Sequence, residues 1–102
     1  MKQELLHTIS EAIELLHLCN LNSKVEWFEE RQQSIMKLEE DTEEFRLELL
    51  KIKGIISGMG SFLDLPMYPE KNSRLSRAEA RKKQSELAER LYGLITGVLG
   101  PA

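Results

Sequence analysis

The sequence predicts an all-α fold: a four-helix, bundle-like, up-and-down domain with a long ordered loop between the third and fourth helices. Three observations lead there. Apolar residues recur at i, i+3 and i+4 in four separate stretches. Hydroxyl-to-acid capping patterns stand at the heads of the later stretches. No stretch shows the period-2 alternation of a strand, and there is no internal repeat. At 102 residues the chain fits a single domain, residues 1–102, able to bury a core without metals or disulfides.

The first helix is expected over 2–19, where Leu5, Leu6, Ile9, Ala12, Ile13 and Leu16 follow helical spacing and Leu15 and Leu18 widen the stripe. Asn20 and Asn22 tolerate turn conformations and should end it. Ser23 with Glu26 reads as a capping box opening a second helix over 24–38, with Val25, Phe28, Ile35 and Leu38 inward and Gln32 interrupting them. The run EEDTEE then breaks the pattern. Asp41 or Thr42 caps a third helix over 42–57, whose first-turn acids suit the helix dipole. Its seam is Phe45, Leu49, Ile52 and Ile56, and Gly58 is placed as its left-handed stop. Ser76 with Glu79 opens the fourth helix, over 76–97. That helix runs through Leu87, Leu91, Leu94 and Val98 and frays near Gly97 and Gly100. Its first half, RAEARKKQSE, is nearly all polar and is expected to lie on the surface or to extend past the core.

The loop, 58–75, carries the segment GMGSFLDLPMYP. Gly60 permits an unusual backbone angle or a close approach, and Ser61 can cap a single turn through Asp64. Pro66 drives Leu65 into an extended conformation. Phe62, Leu63, Leu65, Met67 and Tyr68 together offer several hundred Å² of apolar surface, at about 25 cal/mol per Å², to hold the segment down. Two readings follow. Either Phe62 and Leu65 plug the open end of the bundle, or Asp64, Met67 and Tyr68 present an anchor to a partner.

Net charge is −3, so no overall field draws the chain onto nucleic acid. The charge is uneven. From Glu26 to Glu48, nine acids face three bases, a local net of −6; from Glu70 to Arg90, seven bases face four acids, a local net of +3. Arg74, Arg77, Arg81, Lys82 and Lys83 form a basic strip that could meet phosphates, a solvated face, or the acidic second and third helices. Cys19 is the one cysteine, which suits a reducing compartment. The acids within MKQELLHTISEAIELL argue against a signal peptide, and LYGLITGVLG is far short of the roughly 20 residues of a membrane span. The expected location is the cytoplasm, with no membrane contact.

Chemistry is not signalled. His7, His17 and Cys19 are the only soft ligand candidates, and their spacing suits no shared ion. No nucleophile has a base beside it in sequence, so the expectation is no catalytic residue, no metal, no cofactor and no enzyme.

The segment Gly58-Met59-Gly60-Ser61-Phe62-Leu63-Asp64, after a third helix, resembles a family of short, uncharacterised bacterial all-helical proteins marked by a Gly-Met-Gly-Ser-Phe/Leu-x-Asp loop. The resemblance extends from Leu49 to Glu89, and Leu63 stands where that pattern often has Asn. Such proteins look like toxin-immunity proteins. The resemblance implies a non-enzymatic binding protein whose partner is a cognate protein toxin. The acidic face, with Glu39, Glu40, Glu43 and Glu44, would meet a basic toxin, and the loop would supply the anchors. The alternatives are a homodimeric structural or adaptor protein pairing through Leu87, Leu91, Leu94 and Val98, or a small nucleic-acid-associated regulator using Arg74 to Lys83.

Overall fold

Four helices carry the chain: α1 (Lys2–Leu18), α2 (Asn22–Lys37), α3 (Glu43–Ser57) and α4 (Arg77–Leu99), with a 3₁₀ turn at Phe62–Asp64 between the last two. The computed structural model describes residues 1–57, 61–70 and 74–100, and among these there is no strand. The helices pack as a ring, α1 against α2 and α4, and α3 against α2 and α4. With short turns joining the first three, this is the expected up-and-down arrangement.

The corner after α1 explains where α2 begins. Asn20 takes the left-handed conformation (φ 58°). Its N–H donates to the His17 carbonyl (3.1 Å), and the Leu21 N–H reaches back to the Leu16 carbonyl (3.0 Å). This is a Schellman closure, here formed by Asn where Gly is commoner. The chain re-enters helix at once, so α2 starts at Asn22 with Leu21 at the cap position and no side-chain cap. The expected Ser23 capping box is therefore not formed: Ser23 already lies in the first turn. At the far end of α2, the Lys2 ammonium donates to the carbonyls of Met36 (3.1 Å) and Leu38 (2.7 Å), satisfying groups that a helix C-terminus leaves unpaired.

Thr42 and not Asp41 caps α3. Its Oγ1 accepts from the Phe45 N–H (3.3 Å) while donating to the Glu39 carbonyl (2.7 Å). The expected seam of Phe45, Leu49, Ile52 and Ile56 is buried. The Ser76–Glu79 capping box forms in both directions, at 3.1 Å each. Hydrogen bonds from Ser76 hold the Glu79 carboxyl below its usual range. Helix α4 continues through Gly97 and stops at Gly100 (φ 85°), whose N–H donates to the Thr96 carbonyl (2.8 Å). Its first half is less superficial than its composition predicts, because Ala80 and Gln84 are buried.

The loop closes one end of the bundle. Phe62 is buried, its ring edge-on to Phe28 at 5.8 Å between centroids. The turn at Phe62–Asp64 is closed by backbone, Asp64 N–H to the Ser61 carbonyl at 2.9 Å and Leu65 N–H to the Phe62 carbonyl at 3.3 Å. Ser61 is buried and gives the turn no side-chain cap, contrary to the expected role. Leu65 is extended before Pro66, as the proline demands. Buried Gln84 of α4 donates through Nε2 to the carbonyls of Phe62 (2.8 Å) and Leu65 (3.1 Å). Met67 lies inside, its sulfur 3.8 Å from the Cys19 thiol. Farther on, Glu70 donates its N–H to the Leu18 carbonyl (3.3 Å) and accepts from the Asn20 amide (3.0 Å). The expectations placed on Gly58 and Gly60 fall outside the described residues.

Candidate partner-binding surface

The acidic run lies on the outside of α2 and on the turn into α3. Glu26, Glu29 and Glu30 are exposed on α2, and Glu39, Glu40, Asp41, Glu43 and Glu44 are exposed around the turn. The helix geometry forces this: with Val25, Phe28 and Ile35 turned inward, the intervening acids face water. Two acids have local ties, Glu30 to Arg31 at 3.5 Å and Glu40 through Oε1 to the Lys2 N–H at 2.9 Å. The carboxylates of Glu26, Glu29, Glu39, Asp41, Glu43 and Glu44 have no hydrogen bond or ion pair among the described residues.

Glu48 belongs to the run in sequence but not in space. It is buried between α3 and α2, 3.4 Å from Arg31 Nε and 3.2 Å from Lys51 Nζ. Arg31 also lies over the Trp27 ring, 5.3 Å from its centroid.

The basic residues of α4 look the other way. Lys83 Nζ meets Glu11 of α1 at 3.0 Å, and Arg90 binds the second oxygen of the same carboxylate. His7, exposed one turn earlier, approaches it at 3.7 Å. The Lys83 hydrogen bond, with help from Arg90 and against the cost of burial, holds the Glu11 carboxyl below the usual glutamate range. Arg77 stacks on the Tyr68 ring at 4.1 Å. Among the described residues, no base of α4 pairs with an acid of α2 or α3.

The residues expected to anchor a partner separate into two places. Glu39, Glu40, Glu43 and Glu44 cluster at the α2–α3 turn. Asp64, Met67 and Tyr68 sit at the opposite end, beyond the C-terminus of α3, a helix roughly 22 Å long at 1.5 Å per residue. Asp64 and Tyr68 are exposed there, but Met67 is 3% exposed and is a core residue, not an anchor. The same end buries Cys19, and burial raises its thiol pKa. Leu87 and Leu91 are fully buried and Leu94 and Val98 half-buried, so the α4 seam faces the bundle core. Among the described residues, no three His, Cys, Asp or Glu side chains converge as a metal site would require. No described helix is long and apolar enough to cross a membrane.

Sequence spacing pointed past one more feature. Leu47 and Leu50 stand about half exposed on the outer face of α3. They fall off the Phe45–Leu49–Ile52–Ile56 seam, and that offset is the signal that could have found them. Comparison with family models, curated proteins and solved structures finds no match.

Proposed function

We propose that this chain is a non-enzymatic binding protein that neutralises a basic protein toxin by direct contact, as a cytoplasmic immunity protein does. The supporting observation is the acidic surface of α2 and the α2–α3 turn, most of whose carboxylates have no partner among the described residues, while Lys83 and Arg90 of α4 are engaged by Glu11 and Arg77 by Tyr68. Like charges four apart on a helix, as at Glu26 and Glu30, oppose folding by about 0.2–0.5 kcal/mol. A cationic partner turns that repulsion into attraction and raises its own rate of encounter. The reading needs no catalytic group. It places the contact on the acidic face, with Tyr68 and Asp64 too distant to share one compact hot spot with it.

The test uses the protein encoded beside this one, produced together with it and checked for complex formation. Reversing Glu39, Glu40, Glu43 and Glu44 to lysine should leave the helical signal intact, because exposed changes move stability little. Association at low salt should slow about tenfold or more, while dissociation changes less. A reversed variant that binds at the wild-type rate removes the acidic face from the mechanism.

A further inference from the structure

The segment Phe62–Glu70 lies over the corner where α1 ends. Phe62 and Met67 are buried, while Leu63, Asp64, Pro66, Tyr68 and Glu70 are exposed. Its ties to the helices include the two Gln84 hydrogen bonds, the Glu70 N–H to the Leu18 carbonyl, the Asn20 amide to the Glu70 carboxylate and the Arg77 stack on Tyr68. The last two are at the surface, where water competes for the same groups. The helices pack without it: α1 rests on α2 and α4, and α3 on α2 and α4, so the ring is closed by helix contacts alone.

Under the segment lies Cys19, the one thiol of the chain, 7% exposed. Two groups of the segment meet its sulfur, the Met67 thioether at 3.8 Å and the Tyr68 N–H. Segments with few buried side chains and much exposed surface are the ones that open without global unfolding. Phe62–Glu70 fits that description, and the four helices do not.

We propose that Phe62–Glu70 is a cover over Cys19 that opens as a unit while the helices stay packed, and so controls when the thiol can react. With the cover closed, burial disfavours the thiolate, the reactive form. With it open, the sulfur meets solvent. A group attached to the sulfur would stand where the Met67 side chain packs, so a modified thiol holds the cover open. Thiol modification and cover position are then one switch. The cover lies at the opposite end from Glu39, Glu40, Glu43 and Glu44, so the device is independent of the toxin-binding reading.

The test is labelling of the native full chain with the aryl disulfide dithiobis(nitrobenzoate). The Cys19 thiolate attacks one sulfur of the reagent, the reagent's S–S bond breaks, a mixed disulfide forms on Cys19 and the coloured aryl thiolate leaves. Labelling should run at least about tenfold faster than global unfolding permits, and well below the rate for the unfolded chain. Gln84→Met, which loosens the cover, should speed it about fivefold or more. Thr42→Ala removes the α3 cap at the far end of the molecule and lowers global stability, yet should leave the rate within about twofold of wild type. Once labelled, the protein should keep its helical circular dichroism while the Asp64 and Leu65 amides exchange faster. Acceleration by Thr42→Ala of about fivefold shows that Cys19 is reached only through global unfolding and overturns the proposal; that comparison stands even where Gln84→Met fails to fold. A folded Gln84→Met protein that labels at the wild-type rate overturns it as well, as does wild-type labelling at the unfolded-chain rate. A labelled protein that loses its helical signal, or that keeps its amide protection at Asp64 and Leu65, refutes the switch.

Discussion

Replacing Gln84 by methionine should detach the loop from the bundle while nearly preserving side-chain shape. Gln84 is 4% exposed, and its Nε2 serves two carbonyls, those of Phe62 and Leu65. Methionine fills a similar volume without a donor. The Phe62 carbonyl lies in the interior and would lose its partner, a loss worth about 1–3 kcal/mol. The Leu65 carbonyl is only partly buried and can turn to water, so its loss adds less. Burying a thioether in place of an amide returns part of the cost, leaving a net destabilisation of about 1–3 kcal/mol. For a domain of this size each kcal/mol lowers the melting temperature by roughly 4–8 °C. Gln84→Glu should be worse at neutral pH, because a carboxylate would face two carbonyl oxygens in a buried site. That variant should recover on acidification, when the protonated carboxyl regains one donor. Thermal melts followed by circular dichroism give the global effect, and hydrogen exchange at the Asp64 and Leu65 amides gives the local one. A Gln84→Met variant that melts like wild type, with those amides equally protected, would refute the assignment of Gln84 as the residue holding the loop.

Met67→Ala should cost about 2–5 kcal/mol, the range for truncating a buried side chain, and chemical denaturation measures it. Ser76→Ala should cost about 1 kcal/mol by removing the α4 cap, visible as a small shift in the denaturation midpoint. Glu11 has its carboxyl pKa lowered in the folded state, so its stabilisation is complete above the ordinary value of 4.5 and is lost as pH falls through the lower folded value. Glu11→Gln should therefore destabilise at neutral pH and flatten the stability profile in the acid range. A parallel profile for wild type and variant would show that the Lys83 and Arg90 contacts contribute nothing.

Most of the fold was legible because it depends on local spacing. The seam of α3 and the Ser76–Glu79 box are set by residues three or four apart, and both stand where periodicity puts them. Ser23 misled because a capping box is a local pattern, while the start of α2 is decided by the Asn20 corner that precedes it. Ser61 misled for a related reason: backbone hydrogen bonds close its turn without a side-chain cap, and the serine is buried. Gln84 looked like one more polar residue in RAEARKKQSE, since its two partners lie 19 and 22 residues earlier. At the candidate surface, the exposure of Glu39, Glu40, Glu43 and Glu44 could be read from their own helices. Charge counting could not show which acid meets which base. Both Lys83 and Arg90 choose Glu11, more than 70 residues away and outside the acidic run. Met67 was misplaced because an apolar residue in a loop carries no period to tell inside from outside.

The strap from Phe62 to Glu70 also bears on the order in which the chain folds. Its ties to the α1–α2 corner, Met67 to Cys19 and Glu70 to Asn20, join residues 48 and 50 positions apart. Neither tie can form before that corner exists, and closing so long a loop early would cost entropy with little return. The strap should therefore dock late, after the rate-limiting barrier, with the helices already gathered. Weakening it would leave the folding rate almost unchanged and raise the unfolding rate by nearly the full loss of stability. The strap then acts as a latch on the lifetime of the folded state and takes little part in assembling it.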